Sequence, residues 1–355
     1  MAAPYDAHRG QLEAILRAWG MPAIAAAVTA DIMSWADLHG IDSHGISMIP
    51  GYDDRRRSGK TSMAAQPRVV LDKPVAALID GGGGLGHYNS YTAMNLAISK
   101  ARTVGIGIVG VRNSSHFGAC GYYAKMAADA GFIGMVSTSA SGIQVAPTGG
   151  AEAKYGTDPI AFAAPAREGE PFLLDMATTT VAAGRIRNKA NEGLPTPDGW
   201  LITRDGAPSN DPLEAAQKGG FLTPLGGTAD GSSYKGYGLA AMVNILAAGL
   251  TGATFPTDPQ HTKKTGTMDI GHFFMAIDTG LLRDPAEFRA EVIAFCDALR
   301  ATKPADPNKP VMVAGDPERR TAARRRQEGI PVGPNLLEKV RAIAKASGAP
   351  WLLGA

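Results

Sequence analysis

Apolar residues recur every three or four positions between residues 7 and 39: Leu12, Ile15 and Leu16, then Ile24, Val28, Ile32 and Trp35. That spacing predicts helices with one apolar face, and Gly20-Met21-Pro22 divides the stretch into two of them. Abundant alanine suits the helical reading. From about residue 68 the pattern changes to short apolar runs. RVVLD (68–72), AALID (76–80), IGIVGV (106–111) and FIGMVSTS (132–139) read as strands, with helices over 91–105 and 122–131. Such alternation predicts an α/β layer.

Residues 140–240 break the pattern with APTGG, YGTDPIA, LPTPDGW, RDGAPSNDP and SSYKGYG. Long connections with this much turn chemistry usually form functional surfaces. PFLLDMA (171–177) reads as a strand among them, and GLAAMVNILAAGL (238–250) closes the region as a helix. HFFMAID (272–278) is a further strand, followed by helices over 285–300 and 335–348. The sequence has no internal repeat.

Composition narrows the function classes. Hydrophobic residues are 45% and charged residues 19%, with a formal net charge of +2, as in an ordinary globular protein rather than a nucleic-acid binder. The run ERRTAARRR (318–326) reads as a solvated helix face or a contact with a partner subunit. Cys120 and Cys296 are too few for a disulfide framework, and no CxxC occurs. The polar N-terminal stretch and the lack of an apolar run of about 18 residues predict a cytoplasmic protein with no membrane partner.

GGGGLG (81–86) satisfies GxGxxG through Gly81, Gly83 and Gly86, between a strand-like run and a helix. A dinucleotide fingerprint calls for an acidic residue about 20 positions on. The next strand ends instead in Val111-Arg112-Asn113. A plain glycine turn is the better reading, although Arg112 leaves a 2′-phosphate open.

Two of the seven histidines stand out. His44 lies in Asp-Ser-His-Gly and His116 in Ser-Ser-His-Phe-Gly, each with hydroxyl neighbours and a nearby glycine. Small neighbours leave room for a ligand, and an imidazole transfers protons near neutral pH. No HxH or HExxH spacing points to a metal, and none is expected.

GIDSHG, NSSHFGACGYY, VAPTGGAEAKYGTDPIAFAAP, LLDMATTTVAAGRI, LPTPDGW, PLGG with SYKGYGL, and IGHFFMAID follow one another in this order. Across nearly the whole chain the sequence resembles the malate/L-lactate dehydrogenase family that is distinct from the Rossmann-fold enzymes. Members include ureidoglycolate and sulfolactate dehydrogenases, 2,3-diketogulonate reductase and reductases of piperideine-2-carboxylate. The resemblance implies a non-Rossmann NAD(P)-binding sheet domain (121–277), a discontinuous second α/β domain for substrate and dimerisation (61–120 plus 278–355), and an N-terminal helical segment (1–60). It further implies a homodimer and a hydride passed between NAD or NADP and a 2-oxo acid, 2-hydroxy acid or cyclic imino acid. Carried over by residue, Ser141, Asp175, Met176, Ala177, Lys235, Gly271, His272 and Phe273 would hold the cofactor. His116 would serve as acid/base, with His44 and Ser43 holding the substrate.

The sequence departs from the family at two positions. Where members carry an arginine that grips the substrate carboxylate, this chain has Met48, which cannot make a charge-assisted bond. Arg55, Arg56 and Arg57 follow, in a run that reads as a solvated helix end, and Arg185 or Thr157 are other candidates for the anion. Asp158 stands where asparagine is usual. Met48 also keeps a rival reading open, a catalytically silent relative that binds a metabolite or acts as a scaffold.

Overall fold

The structure, a computed structural model, describes residues 1–140, 142–257 and 266–354. Its centre is a seven-stranded sheet of β1 (Arg68–Asp72), β2 (Ala76–Gly84), β3 (Ile106–Ser114), β4 (Phe132–Thr138), β5 (Ile160–Arg167), β6 (Glu170–Met176) and β7 (Ile270–Asp278). The spatial order is β1-β2-β3-β7-β4-β5-β6. Only β2 and β3 run parallel; every other neighbouring pair is antiparallel. A doubly wound nucleotide fold is mostly parallel, so this mixed sheet is a different architecture. Its strands come from both sides of residue 120 and share one hydrogen-bonded sheet.

Helices α4 (Gly86–Val104) and α5 (Cys120–Asp129) bury one apolar stripe each against this sheet. The core between them holds Ala93, Met94, Tyr123, Ala124, Val109 and Phe274. Small residues set the spacing: a Cβ on Gly107 of β3 would lie 2.0 Å from the Ala97 carbonyl of α4. A second core joins α1 (Tyr5–Ala18), α2 (Ala23–Leu38), α3 (Ile49–Arg57) and α10 (Pro334–Ser347) through Leu12, Ile15, Met33, Ile49, Tyr52 and Val340. Adjacent residues of α2 face the two cores, Ile32 the sheet core and Met33 the helical one. Ala2–Ala3 pairs with Ile330–Pro331, so the two ends of the chain meet.

The turn-rich region gathers around Val145, Tyr155, Val181, Leu201 and Leu222, with a small sheet of Leu201–Ile202, Pro208–Ser209 and Phe221–Leu222. It also contains α6 (Ala183–Glu192) and leads into α7 (Tyr234–Asn244). Beyond β7 come α8 (Pro285–Arg300) and α9 (Asp316–Glu328). Among the described residues no helix is long and apolar enough to cross a membrane.

Candidate active site

The loop bearing His44 is built from beneath by Asp37, near the end of α2. The buried carboxylate accepts the Ile46 N–H at 2.7 Å and pairs with His8 Nε2 at 2.9 Å. His8 in turn meets Ser34 through Nδ1 at 3.1 Å. Gly45 is required there because a Cβ would fall 2.0 Å from the Asp37 carboxylate. From above, Arg325 of α9 donates to the Asp37 carbonyl and to both oxygens of Asp42, the second at 3.0 Å. The arginine run is thus more than the solvated face that its composition predicts: Arg325 is buried and clamps the histidine loop.

The second histidine follows β3. The backbone here packs directly against the start of α4, where Gly86 N–H donates to the His116 carbonyl at 3.0 Å. A Cβ on Gly86 would lie 2.3 Å from the Ser115 carbonyl and 2.7 Å from Phe117 Cβ. Part of the GGGGLG run therefore serves to bring a helix start against the histidine segment. Buried Ser115 accepts a hydrogen bond from Thr61 at 3.2 Å, which ties the same segment to the end of α3.

His44 and His116 stack with ring centroids 5.3 Å apart and planes 25° from parallel. Tyr52, fully buried on α3, places its hydroxyl 2.6 Å from His116 Nδ1. The Gly118 N–H, which can only donate, also points at that nitrogen from 3.4 Å. Two donors on Nδ1 select the tautomer with the proton on Nε2, and Nε2 has no hydrogen-bond partner among the described residues. His44 uses Nδ1 for Ser43 Oγ at 2.7 Å, and its Nε2 also has no hydrogen-bond partner among the described residues. Burial brings His44 down to about 4 and holds His116 well below the usual imidazole range, with His44, His87 and Arg55 adding repulsion. Both rings are neutral at pH 7.

Two members of this cluster were not singled out from the sequence. Tyr52 acts on a residue 64 positions away, a relation that no local pattern encodes. His87, in the first turn of α4, is completely buried at 5.8 Å from the Tyr52 ring and 6.5 Å from His116. Neither of its nitrogens has a partner among the described residues, and burial lowers it to about 3.

Met48 packs against the helical core and lines a cavity of about 570 Å3 with Ser47, Arg187, Leu336 and Lys339. Ser43 is exposed beside His44. The Thr157 carbonyl accepts both the Thr178 N–H and hydroxyl, at 3.0 and 3.1 Å, and Arg185 is exposed. Asp158 sits at a φ of +34°, a region that asparagine and aspartate tolerate best. Its carboxylate is buried between the Ala140 N–H and the Asn244 amide, each at 2.7 Å, and burial raises it to about 6.

Asp175 at the end of β6 accepts the Gly121 N–H at 2.7 Å, capping α5 four residues after the His116 segment. Among the described residues nothing hydrogen-bonds to Oδ1 of Asp175, and Met176 and Ala177 are half-buried beside it. Lys235 is exposed in the first turn of α7 and has no ion pair among the described residues. Leu225 joins the two segments: its N–H donates to the Thr178 carbonyl at 2.9 Å, and a Cβ on Gly236 would meet its backbone at 2.3 Å. Gly271, His272 and Phe273 lie in β7, between β3 and β4. The His272 ring is committed to Thr138 and Ser114 at 2.6 and 3.0 Å, and Phe273 is buried with Val243 and Ala247. Ser141 lies outside the described residues.

Comparison with known proteins decides what this arrangement belongs to. The family model described as malate/L-lactate dehydrogenase matches residues 3–341. The chain belongs to the malate/L-lactate dehydrogenase family. It is 39% identical to a malate dehydrogenase of Pyrococcus horikoshii over 95% of this chain and 93% of the relative. An L-sulfolactate dehydrogenase of Methanothermobacter thermautotrophicus is 37% identical, with 94% of each chain covered. The crystal structure of malate dehydrogenase from Entamoeba histolytica superposes with a TM-score of 0.93 at 32% identity, covering 99% of both chains. The mixed sheet and N-terminal helices are therefore the architecture of this family, and the chain is a dehydrogenase of the 2-hydroxy-acid type. Among the described residues no group of His, Cys, Asp and Glu is arranged to hold a metal.

Proposed function

We propose that this dehydrogenase interconverts a 2-oxo acid and its 2-hydroxy acid, or a cyclic imino acid and its amine, with NAD or NADP and with His116 as the acid/base. The observation that carries this reading is the stacked His44–His116 pair, with Tyr52 and Gly118 fixing Nδ1 of His116 and leaving Nε2 free. The residues fit a nicotinamide dinucleotide: Lys235 is a cation with no ion pair among the described residues, suited to a phosphate, and Oδ1 of Asp175, which accepts no hydrogen bond from them, is suited to a ribose hydroxyl. Met176 and Ala177 continue that wall, and β7 with Gly271, His272 and Phe273 backs it. The cofactor, when bound, supplies or accepts the hydride.

The chain's own residues handle the proton and the position. In the reductive direction charged His116 gives its Nε2 proton to the substrate oxygen or nitrogen and keeps the proton on Nδ1, which the Tyr52 oxygen accepts; in the oxidative direction the bare Nε2 of that tautomer takes the proton back. Tyr52 can accept from Nδ1 when the ring is charged, so one hydrogen bond serves both protonation states. His44, braced by Ser43, faces the same space and orients the polar group. A bound carboxylate lifts the low His116 pKa toward neutrality, so protonation follows substrate binding.

A homodimer is part of the proposal. Val69, Val70 and Leu71 on edge strand β1 are 40 to 46% exposed, a row of apolar side chains and unpaired backbone that a second chain would cover. The reading is tested by following oxidation of NADH and NADPH with a panel of 2-oxo acids, keto-sugar acids and cyclic imino acids, beside His44→Ala and His116→Ala. Turnover that both variants lose is the expected result. Absence of any NADH- or NADPH-induced rise in melting temperature would sink the reading, because a ligand bound only by the folded state must stabilise it.

A further inference from the structure

The three arginines that end α3 are not equivalent. Arg56 and Arg57 both pair with Asp53, at 2.7 Å. Arg55 has no ion pair among the described residues, and its Nη1 is buried without a hydrogen-bond partner. A guanidinium donor removed from water and left unpaired is costly, and Arg, unlike Lys or His, cannot relieve that cost by losing its proton.

Its place in the fold gives the unpaired donor a use. Arg55 lies one turn after Tyr52 on α3, and residues three apart share a helix face. Tyr52 is hydrogen-bonded to His116. A second path closes the same circle: the Arg55 carbonyl accepts the Thr61 N–H at 3.2 Å, and the Thr61 hydroxyl donates to Ser115, the residue before His116. The positive charge of Arg55 is close enough to lower the pKa of both Tyr52 and His116, favouring a phenolate on the one and a neutral ring on the other. In a 2-oxo or 2-hydroxy acid the carboxylate is one bond from the reacting carbon, so its anchor has to stand next to the acid/base.

We propose that Arg55 receives the substrate carboxylate in this chain, a task that Met48 cannot perform. The inference rests on the hydride-transfer reading above and narrows it: the substrates carry a carboxylate on the reacting carbon. The expectation that the arginine run is a solvated helix end holds for Arg57, whose side chain is 54% exposed, and fails for Arg55.

The test is calorimetric titration of oxamate and oxalate, which mimic a 2-oxo acid but accept no hydride, into the enzyme saturated with NADH or NADPH. Arg55→Met should weaken both by about thirtyfold or more, the scale for removing one partner of a desolvated charge pair, with affinity for the dinucleotide unchanged. Arg55→Lys should fall between, since it keeps charge but loses the fork, and it serves as the test protein if Arg55→Met does not fold. Affinity within twofold of the parent in either variant that folds, or no binding of either acid to the parent protein, overturns the assignment. Oxamate binding that depends on Arg55, without turnover of any substrate in the panel, would leave this inference standing and remove the hydride-transfer reading. Turnover with Arg55-independent binding does the reverse.

Discussion

Gly86→Ala separates a packing role for the glycine run from a cofactor role. The added Cβ would stand 2.3 Å from the Ser115 carbonyl, against 3.4 Å for an ordinary contact. The opposing atoms belong to the backbone on either side of His116, so no side chain can swing away. Either α4 or the histidine segment must move by about 1 Å. Overpacking of this kind costs about 3 kcal/mol, the upper part of the usual range. At about 2.1 cal/mol/K per residue the unfolding entropy of this chain is roughly 0.75 kcal/mol/K, so the melting temperature should drop by about 4 °C. A shift of about 1 Å in an acid/base group lowers turnover by roughly a hundredfold, while dinucleotide affinity should stay within about threefold. Gly83→Ala is the companion variant: it has a φ of +73° and a Thr267 side chain at 3.1 Å, a strain of about 1–2 kcal/mol. Scanning calorimetry with and without NADH, followed by titration of the dinucleotide, reads both variants. Unchanged melting with lost dinucleotide binding in either would refute the packing account and return GGGGLG to a phosphate-binding turn.

Tyr52→Phe removes the donor from His116 Nδ1; kcat should fall at least about tenfold, with a stability change near 1 kcal/mol and unaltered dinucleotide affinity, and an unchanged kcat would contradict the tautomer assignment. Acid should destabilise the protein early. His87 and His272 are held near 3, so between their folded values and the unfolded 6.5 the unfolded chain binds more protons and stability falls with pH. Together they remove about 2 kcal/mol between pH 6.5 and 5.5, partly offset by Asp158, which is raised to about 6 and acts in the opposite sense; urea midpoints that stay flat over this interval would argue against two neutral buried rings. Arg325→Met should cost about 1–3 kcal/mol, less than a fully buried pair because the Asp42 side chain is 55% exposed. It should also lower kcat/KM through a loosened His44 loop, and wild-type activity would refute the clamp.

Long periodic elements were legible in the sequence: the paired N-terminal helices, the helix over 91–105 and the strand over 272–278 all lie where the spacing put them. Strand β5 was not legible, because IAFAAPAR is short, rich in alanine and interrupted by Pro165. Helix α6 escaped for another reason. It buries only Ile186 and sits in a stretch dominated by turn residues. His44 and His116 announced themselves through small and hydroxyl neighbours, and the structure stacks them. What makes the pair chemically specific was hidden, since Tyr52, His87, Asp37 and Arg325 act across distances in sequence that residue patterns do not encode. Arg55 shows the limit most clearly: three consecutive arginines look alike as letters, and only the helix face tells them apart.

The clamp on the histidine loop has a consequence for how the chain is made. Asp42 and Arg325 are 283 residues apart, so at about 5–20 residues per second the ribosome delivers the second roughly 15–60 s after the first. Throughout that interval α1, α2 and α3 also lack Val340 and Ala344, which complete their core. The first residues of the site to be synthesised are thus among the last to be fixed in place, and the nascent protein carries an unfinished, apolar N-terminal face until nearly the whole chain has emerged.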